Sequence, residues 1–170
     1  VDNGGSGSAP VIDIGSRENV SNKPLAVING PYTGLEGAPV AVDASGSSAP
    51  TGATIVSYAW NCDGDSTFEN VFTTPQGTCT FPDNGAYTIR PRVTTQGTGG
   101  GSGGSSEATT FATISNQPPV YTPPADQVAF ANVERSFDLG TFSDPGVQDT
   151  FTGNLGWGDG GNERSINITQ

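Results

Sequence analysis

Histidine and methionine are absent from these 170 residues, lysine occurs once, at Lys23, and there are two cysteines. Without histidine, Ser-His-Asp and Cys-His nucleophilic systems are excluded. A single lysine also rules out lysine–asparagine crosslinks as a general stabilising device. Six Lys plus Arg stand against 17 Asp plus Glu, and the formal charge of −11 repels phosphate backbones and anionic membranes. Nucleic acid is therefore not an expected partner. No run approaches about 20 uninterrupted apolar residues, so no membrane insertion is expected.

Turn formers are plentiful. With 25 Gly and 13 Pro, long amphipathic helices give way to many short strands, and the fold class reads as all-β. A hydrophobic fraction of 32% supports only thin cores, which favours two thin sandwiches over one thick domain. The chain opens on the polar run Val1-Asp2-Asn3-Gly4-Gly5, which is not a signal peptide, and the missing initiator Met reads as a processed or excerpted chain.

Period-two alternation recurs along the chain. Residues Val40 to Ala44 read as a strand, Ser45 to Ser48 as a turn, and Ile55 to Trp60 as a strand with Val56, Tyr58 and Trp60 on its core face. Cys79-Thr80-Phe81 ends at the turn Pro82-Asp83-Asn84-Gly85, and Tyr87, Ile89 and Val93 line one face of the next strand. Pro91, read on the other phase, marks that strand as edge-like or bulged. Gly97 to Ser106 reads as a long flexible hairpin tip before the strand Thr109 to Ile114, and Asn116-Gln117-Pro118-Pro119 as a stiff linker. The residues at core phase include Trp60, Tyr87, Phe111, Phe142 and Trp157, whereas Tyr32, Tyr121 and Phe130 are scattered and expected to be exposed. Two tryptophans run straight into Asp/Gly turns, Trp60-Asn61-Cys62-Asp63-Gly64-Asp65 and Trp157-Gly158-Asp159-Gly160, which suits core strands entering tight hairpins.

Cys62 and Cys79 lie seventeen residues apart on an outgoing and a returning strand, which suits a disulfide better than a metal site lacking histidine. The alternative is two buried free thiols in a reducing compartment. Seventeen acids contain no carboxylate pair in a motif that would set one pKa apart from its partner, so no enzymatic activity is expected. Calcium is the one plausible ligand. Asn61, Asp63, Asp65 and Glu69 form an alternating oxygen-rich run whose shell a carbonyl such as that of Thr67 would complete; a solvated acidic turn explains the same residues without metal. Asp144, Asp149 and Asp159 form a weaker cluster, read as Asx-type turn residues. Asn19-Val20-Ser21 and Asn167-Ile168-Thr169 are glycosylation-type triplets.

Asn29-Gly30-Pro31-Tyr32, Glu36-Gly37, Asp43 to Ser48, Ile55 to Trp60 and Asp83 to Ile89, in that order and spacing, resemble the polycystic-kidney-disease-type (PKD) repeat over about residues 25 to 116. The resemblance implies an immunoglobulin-like β-sandwich from an extracellular protein, usually one module of a string used for adhesion, spacing or carbohydrate contact. Two departures stand out. Cys62 and Asp63 replace the family's usual aromatic and Gly after Trp-Asp. Ala49-Pro50-Thr51-Gly52 replaces an acidic pair in the loop from which family members build a calcium site.

A second stretch, from Pro118 through Phe137 to Gly146 and on to Leu155-Gly156-Trp157-Gly158-Asp159-Gly160, resembles a bacterial PKD-like variant, in which a hairpin with the last two strands normally follows. Only residues Gly161 to Gln170 remain. Val1 to Ser8 followed by Val11-Ile12-Asp13-Ile14 reads as such a hairpin tip and outgoing strand, and Ser165 to Gln170 runs naturally into Val1-Asp2-Asn3-Gly4-Gly5, with Ile166 and Ile168 on one face. The expected architecture is thus two immunoglobulin-like, PKD-type β-sandwiches in tandem. Residues 25–116 form one complete domain, 117–170 begin a second, and residues equivalent to 1–24 of the next repeat or subunit complete it. The expected assembly strands carry Ile166, Ile168, Val1, Val11, Ile12 and Ile14. The expected function is a noncatalytic repeat or subunit of an extracellular filament or stalk, partnered by neighbouring copies of itself. The competing expectation is an accessory module of a secreted protein that binds surface glycans or other cell-surface proteins.

Overall fold

The computed structural model describes residues 23–98, 103–158 and 160–168. Every regular element among them is a β-strand. The larger sheet runs β1 (Tyr32–Leu35), β8 (Thr110–Ser115), β6 (Gly85–Gly97), β3 (Ala53–Asn61) and β4 (Asn70–Phe72), with β7 (Ser105–Glu107) also pairing with β6; β2 (Pro39–Asp43) and β5 (Gln76–Thr80) form a two-stranded sheet. Val40, Val42 and Cys79 of the small sheet share one buried cluster with Tyr58, Trp60, Ile89, Val93, Ala112 and Ile114 of the large one. The two sheets therefore enclose a common core as a β-sandwich.

Trp60 is fully buried, and Gly77 is small because of it: a Cβ at Gly77 would lie 2.6 Å from Trp60 Nε1. Tyr87 is half-buried against Phe81, with ring centroids 4.6 Å apart, and its hydroxyl donates to the Asp83 carbonyl. Cys62, just past β3, is bonded to Cys79 of β5, so the disulfide ties the two sheets together at a Cα–Cα distance of 5.6 Å.

Several sequence expectations need correction. The register between β3 and β6 shifts between Ile55 and Ser57, and this bulge flips side-chain parity. Ile55 therefore packs on the core, whereas Val56 is 39% exposed instead of joining Tyr58 and Trp60. Phe111 is also outside: Ala112 and Ile114 pair with Tyr87 and Gly85 and face inward, which forces Phe111, opposite Thr88, onto the solvent side. Tyr32, expected to be exposed, is half-buried, its hydroxyl accepting from Asp43 N.

Pro91 is fully buried in the inward phase of Ile89 and Val93, in a central strand and not at an edge. A residue's N and O point to the same side of a strand, and Pro91 O accepts from Ala108 N. β7 and β8 keep one register against β6 that sets Ala108 opposite Pro91, so the return bond to Ala108 is missing and the ladder is interrupted there, between β8 and β7. The expected flexible tip is also shorter, since Gly97 belongs to β6, Ser105 and Ser106 belong to β7, and Thr95 N donates to Gly104 O.

The chain beyond residue 119 is built differently. β9 (Val120–Thr122) pairs antiparallel with β10 (Thr141–Ser143), and β11 (Phe151–Leu155) with β12 (Arg164–Ile168), each pair a separate two-stranded sheet. Among the described residues, the buried hydrophobic core lies between Val40 and Ile114. Among described residues 120–168, only Asp144 and Gly146 are buried.

Candidate functional site

Three places hold groups that could act on something outside the chain. The first is the turn after Trp60. Asn61 is fully buried and organises it: Nδ2 donates to the carbonyls of Asp65 (2.7 Å) and Thr67 (2.6 Å), and Oδ1 accepts from Gly64 N. Asp63 and Asp65 cap backbone N–H groups two residues on, and Thr67 also donates its hydroxyl to Asp65 and Glu69. Hydrogen bonds from the Thr67 N–H and then its hydroxyl hold the Asp65 carboxyl below its ordinary pKa, with a smaller pull from Arg90. Arg92 lies over the Phe68 ring at 3.9 Å and pins the loop. Asp63, Asp65 and Glu69 offer oxygens within 4.8 Å of one another, all exposed. Asn61 and the Thr67 carbonyl, expected beside them, take part in the loop's own hydrogen bonds.

The second place is the junction after β8. Glu36 follows β1 and is fully buried, and Oε1 accepts from Gln117 N at 2.9 Å. Turned with Nδ2 toward them, Asn116 donates to Glu36 Oε1 (2.9 Å) and Asp149 Oδ2 (2.7 Å). Val147 N donates to Pro82 O, which brings the loop after β10 against the sandwich. Asp144 is buried, and its Oδ1 accepts from Gly146 N, the Asx geometry expected of it. Oxygens of Glu36, Asp144 and Asp149 come within 4.8 Å of one another. Burial, then the neighbouring carboxylates of Glu36, Asp144 and Asp83, push the Asp149 carboxyl up, aided by a hydrogen bond with Asp144. The expected third member, Asp159, lies outside the described residues.

Sequence reasoning grouped Asp144 with Asp149 but missed Glu36 and Asp83. The available signal was Glu36-Gly37, an acid set among small and apolar residues between two short strands. The linker Asn116-Gln117 is not merely a spacer, since both residues contact Glu36.

The third place is an apolar groove of about 670 Å³ between the two small sheets, lined by residues including Tyr121, Leu139, Phe142, Leu155, Ile166 and Ile168. Phe142 meets Phe151 edge-on at 4.8 Å. Trp157, placed at core phase by the sequence, is 57% exposed in this chain and touches Phe137 edge-on at 5.5 Å. Tyr121 and Phe130 are exposed as expected. Ile166 and Ile168 pair with Gly153 and Phe151 and are half-buried. Val1, Val11, Ile12, Ile14 and the triplet at Asn19 lie outside the described residues.

Comparison with known proteins adds a family. No curated protein matches the chain. A solved structure, from work on the structural basis for the promiscuous specificity of carbohydrate-binding modules from the β-sandwich superfamily, aligns at 28% identity over 54% of this chain and 34% of that one, with a TM-score of 0.44. The chain thus spans about a third of that protein's length. A family model for the PKD domain matches residues 21–112, more than half of the chain and the span of the sandwich built from β1 to β8. The chain belongs to the PKD domain family.

Proposed function

We propose that the chain is a noncatalytic unit of an extracellular filament or stalk in which PKD-type sandwiches follow head to tail. Residues 117–170 begin a second sandwich, and the strand equivalent to Val11-Ile12-Asp13-Ile14 of the next repeat or subunit completes it. The observation that carries this reading is the contrast in burial. The first sandwich buries Trp60, Phe81, Ile89 and Val93 fully, whereas Val120, Val128, Phe130, Val133 and Trp157 are each more than half exposed. Each of the two small sheets has two strands, so each leaves edges open to a further strand. Ladder hydrogen bonds along such an edge, with alternate side chains entering the groove beside Ile166 and Ile168, would join neighbours. The inter-sheet disulfide supports an oxidising, extracellular setting. Among the described residues, no helix is long and apolar enough to cross a membrane.

Electron microscopy of the purified chain tests the proposal. A regular fibre with one chain per repeat is expected, and I12D/I14D chains are expected to stay monomeric. A monodisperse monomer that melts cooperatively at high concentration would sink it. Intact mass under denaturing conditions then separates a covalent array from noncovalent subunits.

A second reading, an accessory module that binds glycans or proteins, draws on the exposed rings of Tyr121, Phe130 and Trp157. It predicts a monomer whose tryptophan fluorescence shifts on titration with oligosaccharides.

A further inference from the structure

At the junction, carboxylates are gathered where charge is hardest to keep. Glu36 is 0% exposed, Asp83 4% and Asp144 8%. Among the described residues, Glu36 Oε2 and Asp83 Oδ2 are buried without a hydrogen-bond partner. Burial and then the carboxylates of Glu36, Asp144 and Asp83 push the Asp149 carboxyl up. An isolated buried carboxylate is costly unless it is neutralised by a proton, a basic side chain or a metal ion.

The basic side chains with described partners are committed elsewhere. Arg90 and Arg92 both pair with Glu107, and Arg135 donates to Val128 O. A shared proton satisfies one pair, Asp144 with Asp149, and does nothing for Glu36. A divalent cation among Glu36, Asp144 and Asp149, whose oxygens lie within 4.8 Å of one another, compensates all three at once. The donor set is purely oxygen, with no thiolate or imidazole, which favours a hard ion of the calcium class over zinc or copper.

Local geometry fits that ion. The Asn116 amide, whose Nδ2 donates to Glu36 Oε1 at 2.9 Å and to Asp149 Oδ2 at 2.7 Å, is close enough to both that a half-turn of the amide would present Oδ1 to a cation held between them. Gly146 leaves the space open: a Cβ there would lie 2.7 Å from Asp149 Oδ2 and 3.0 Å from Glu36 Oε1. Gly37, at φ +68°, turns the chain directly after Glu36, and a Cβ on it would meet Pro145 at 2.4 Å.

We propose that Glu36, Asp144 and Asp149, backed by Asp83 and joined by the Asn116 amide oxygen, bind one calcium ion that locks the PKD sandwich to the segment following it. The site draws one ligand from the turn after β1, one from the linker and two from the loop after β10, so ligand binding and junction rigidity are one event. It stands whether or not neighbouring copies assemble. The exposed turn of Asp63, Asp65 and Glu69 serves as its internal control.

The whole chain, stripped with EDTA and titrated calorimetrically with calcium chloride, is expected to bind one ion and to melt at a higher temperature when loaded. E36Q and D149N should each weaken binding about 100-fold or more, beyond the 10- to 100-fold typical of outer-shell losses, whereas D63N/D65N/E69Q should bind as the parent does. E36Q should also melt higher than the parent in EDTA, because it removes a buried like charge, and this separates lost binding from lost folding. Calcium should slow proteolysis within residues 116–124 in the parent and not in D149N. The absence of both heat and a melting shift in the parent would overturn the proposal. So would calcium binding that survives E36Q and D149N but is lost in the turn variant.

Discussion

Reduction of the Cys62–Cys79 bond should destabilise the first sandwich by about 3 kcal/mol. The cysteines are 17 residues apart, and in the chain-entropy model a loop of that size removes about that much freedom from the unfolded state. The effect should act there, because the folded state holds the sulfurs in place without the bond: Cys79 is 1% exposed inside a cluster that includes Trp60 and Phe81. At about 4–8 °C per kcal/mol for a domain of this size, the melting temperature should fall by roughly 12–24 °C. Urea titrations of oxidised and TCEP-reduced chain, followed by far-UV circular dichroism with thiol state verified by mass, read the difference directly. The reduced chain should also unfold with a steeper urea dependence, since its denatured state is less compact. Replacing both cysteines with alanine should lose more than reduction does, because deleting the buried Cys79 sulfur leaves a cavity. Melting temperatures within about 2 °C of each other, at unchanged steepness, would refute the view that this bond staples the two sheets.

Other perturbations test separate parts of the fold. G77A should lose about 1–3 kcal/mol in urea titrations, since its Cβ would meet Trp60 Nε1 at 2.6 Å and the ring has no free volume to enter. N61A breaks four hydrogen bonds of a buried loop organiser and should lose about 2–3 kcal/mol in urea titrations. Asp43 accepts from Ser45 through its hydroxyl and N–H, from Asn29 and from Gln76, and these bonds hold its carboxyl below its ordinary pKa, the Ser45 hydroxyl contributing most. Its contribution is therefore present above the unfolded aspartate value of about 3.9 and is lost as pH falls from there through the lowered folded value. D43N should flatten the acid limb of stability against pH below about pH 4, and an unchanged limb would count against the Ser45 network.

The first sandwich was legible because its signals are local. Tyr58 and Trp60 alternate into Asp/Gly turns, Val40 and Val42 alternate between turn residues, and the two cysteines mark a strand pair. Errors arose where one residue of parity decides the face. The bulge at Val56 leaves no mark in the sequence, and Phe111 outranks Ala112 in hydrophobicity although its pairing with Thr88 fixes it outside. Pro91 misled for a related reason: a central strand accommodates it by giving up one ladder bond opposite Ala108, where the strand facing β6 is interrupted between β8 and β7. The junction cluster was the least legible part. Glu36 and Asp149 are over a hundred residues apart, and nothing local in either reports the other's charge.

Where sandwiches packed like the one around Trp60 follow one another, stiffness is decided at the joints between them. The linker Asn116 to Pro119 carries two prolines, which restrict its backbone but leave the approach of the next unit undetermined. Glu36 alters that. It receives Gln117 N and contacts the Asn116 amide, so the linker is held to the end of β1 before the chain enters β9. Uncompensated, Asp149 would push away from Glu36, Asp83 and Asp144; with a cation between them the same charges pull together. The joint between β8 and β9 should therefore stiffen with calcium and loosen under chelation, while the first sandwich, stapled by Cys62–Cys79 and packed around Trp60, melts at a temperature that chelation alters little. Two thermal transitions, of which only one moves with calcium, are the expected signature. A single transition moving as a whole would mean that the cluster belongs energetically to the sandwich and not to the joint.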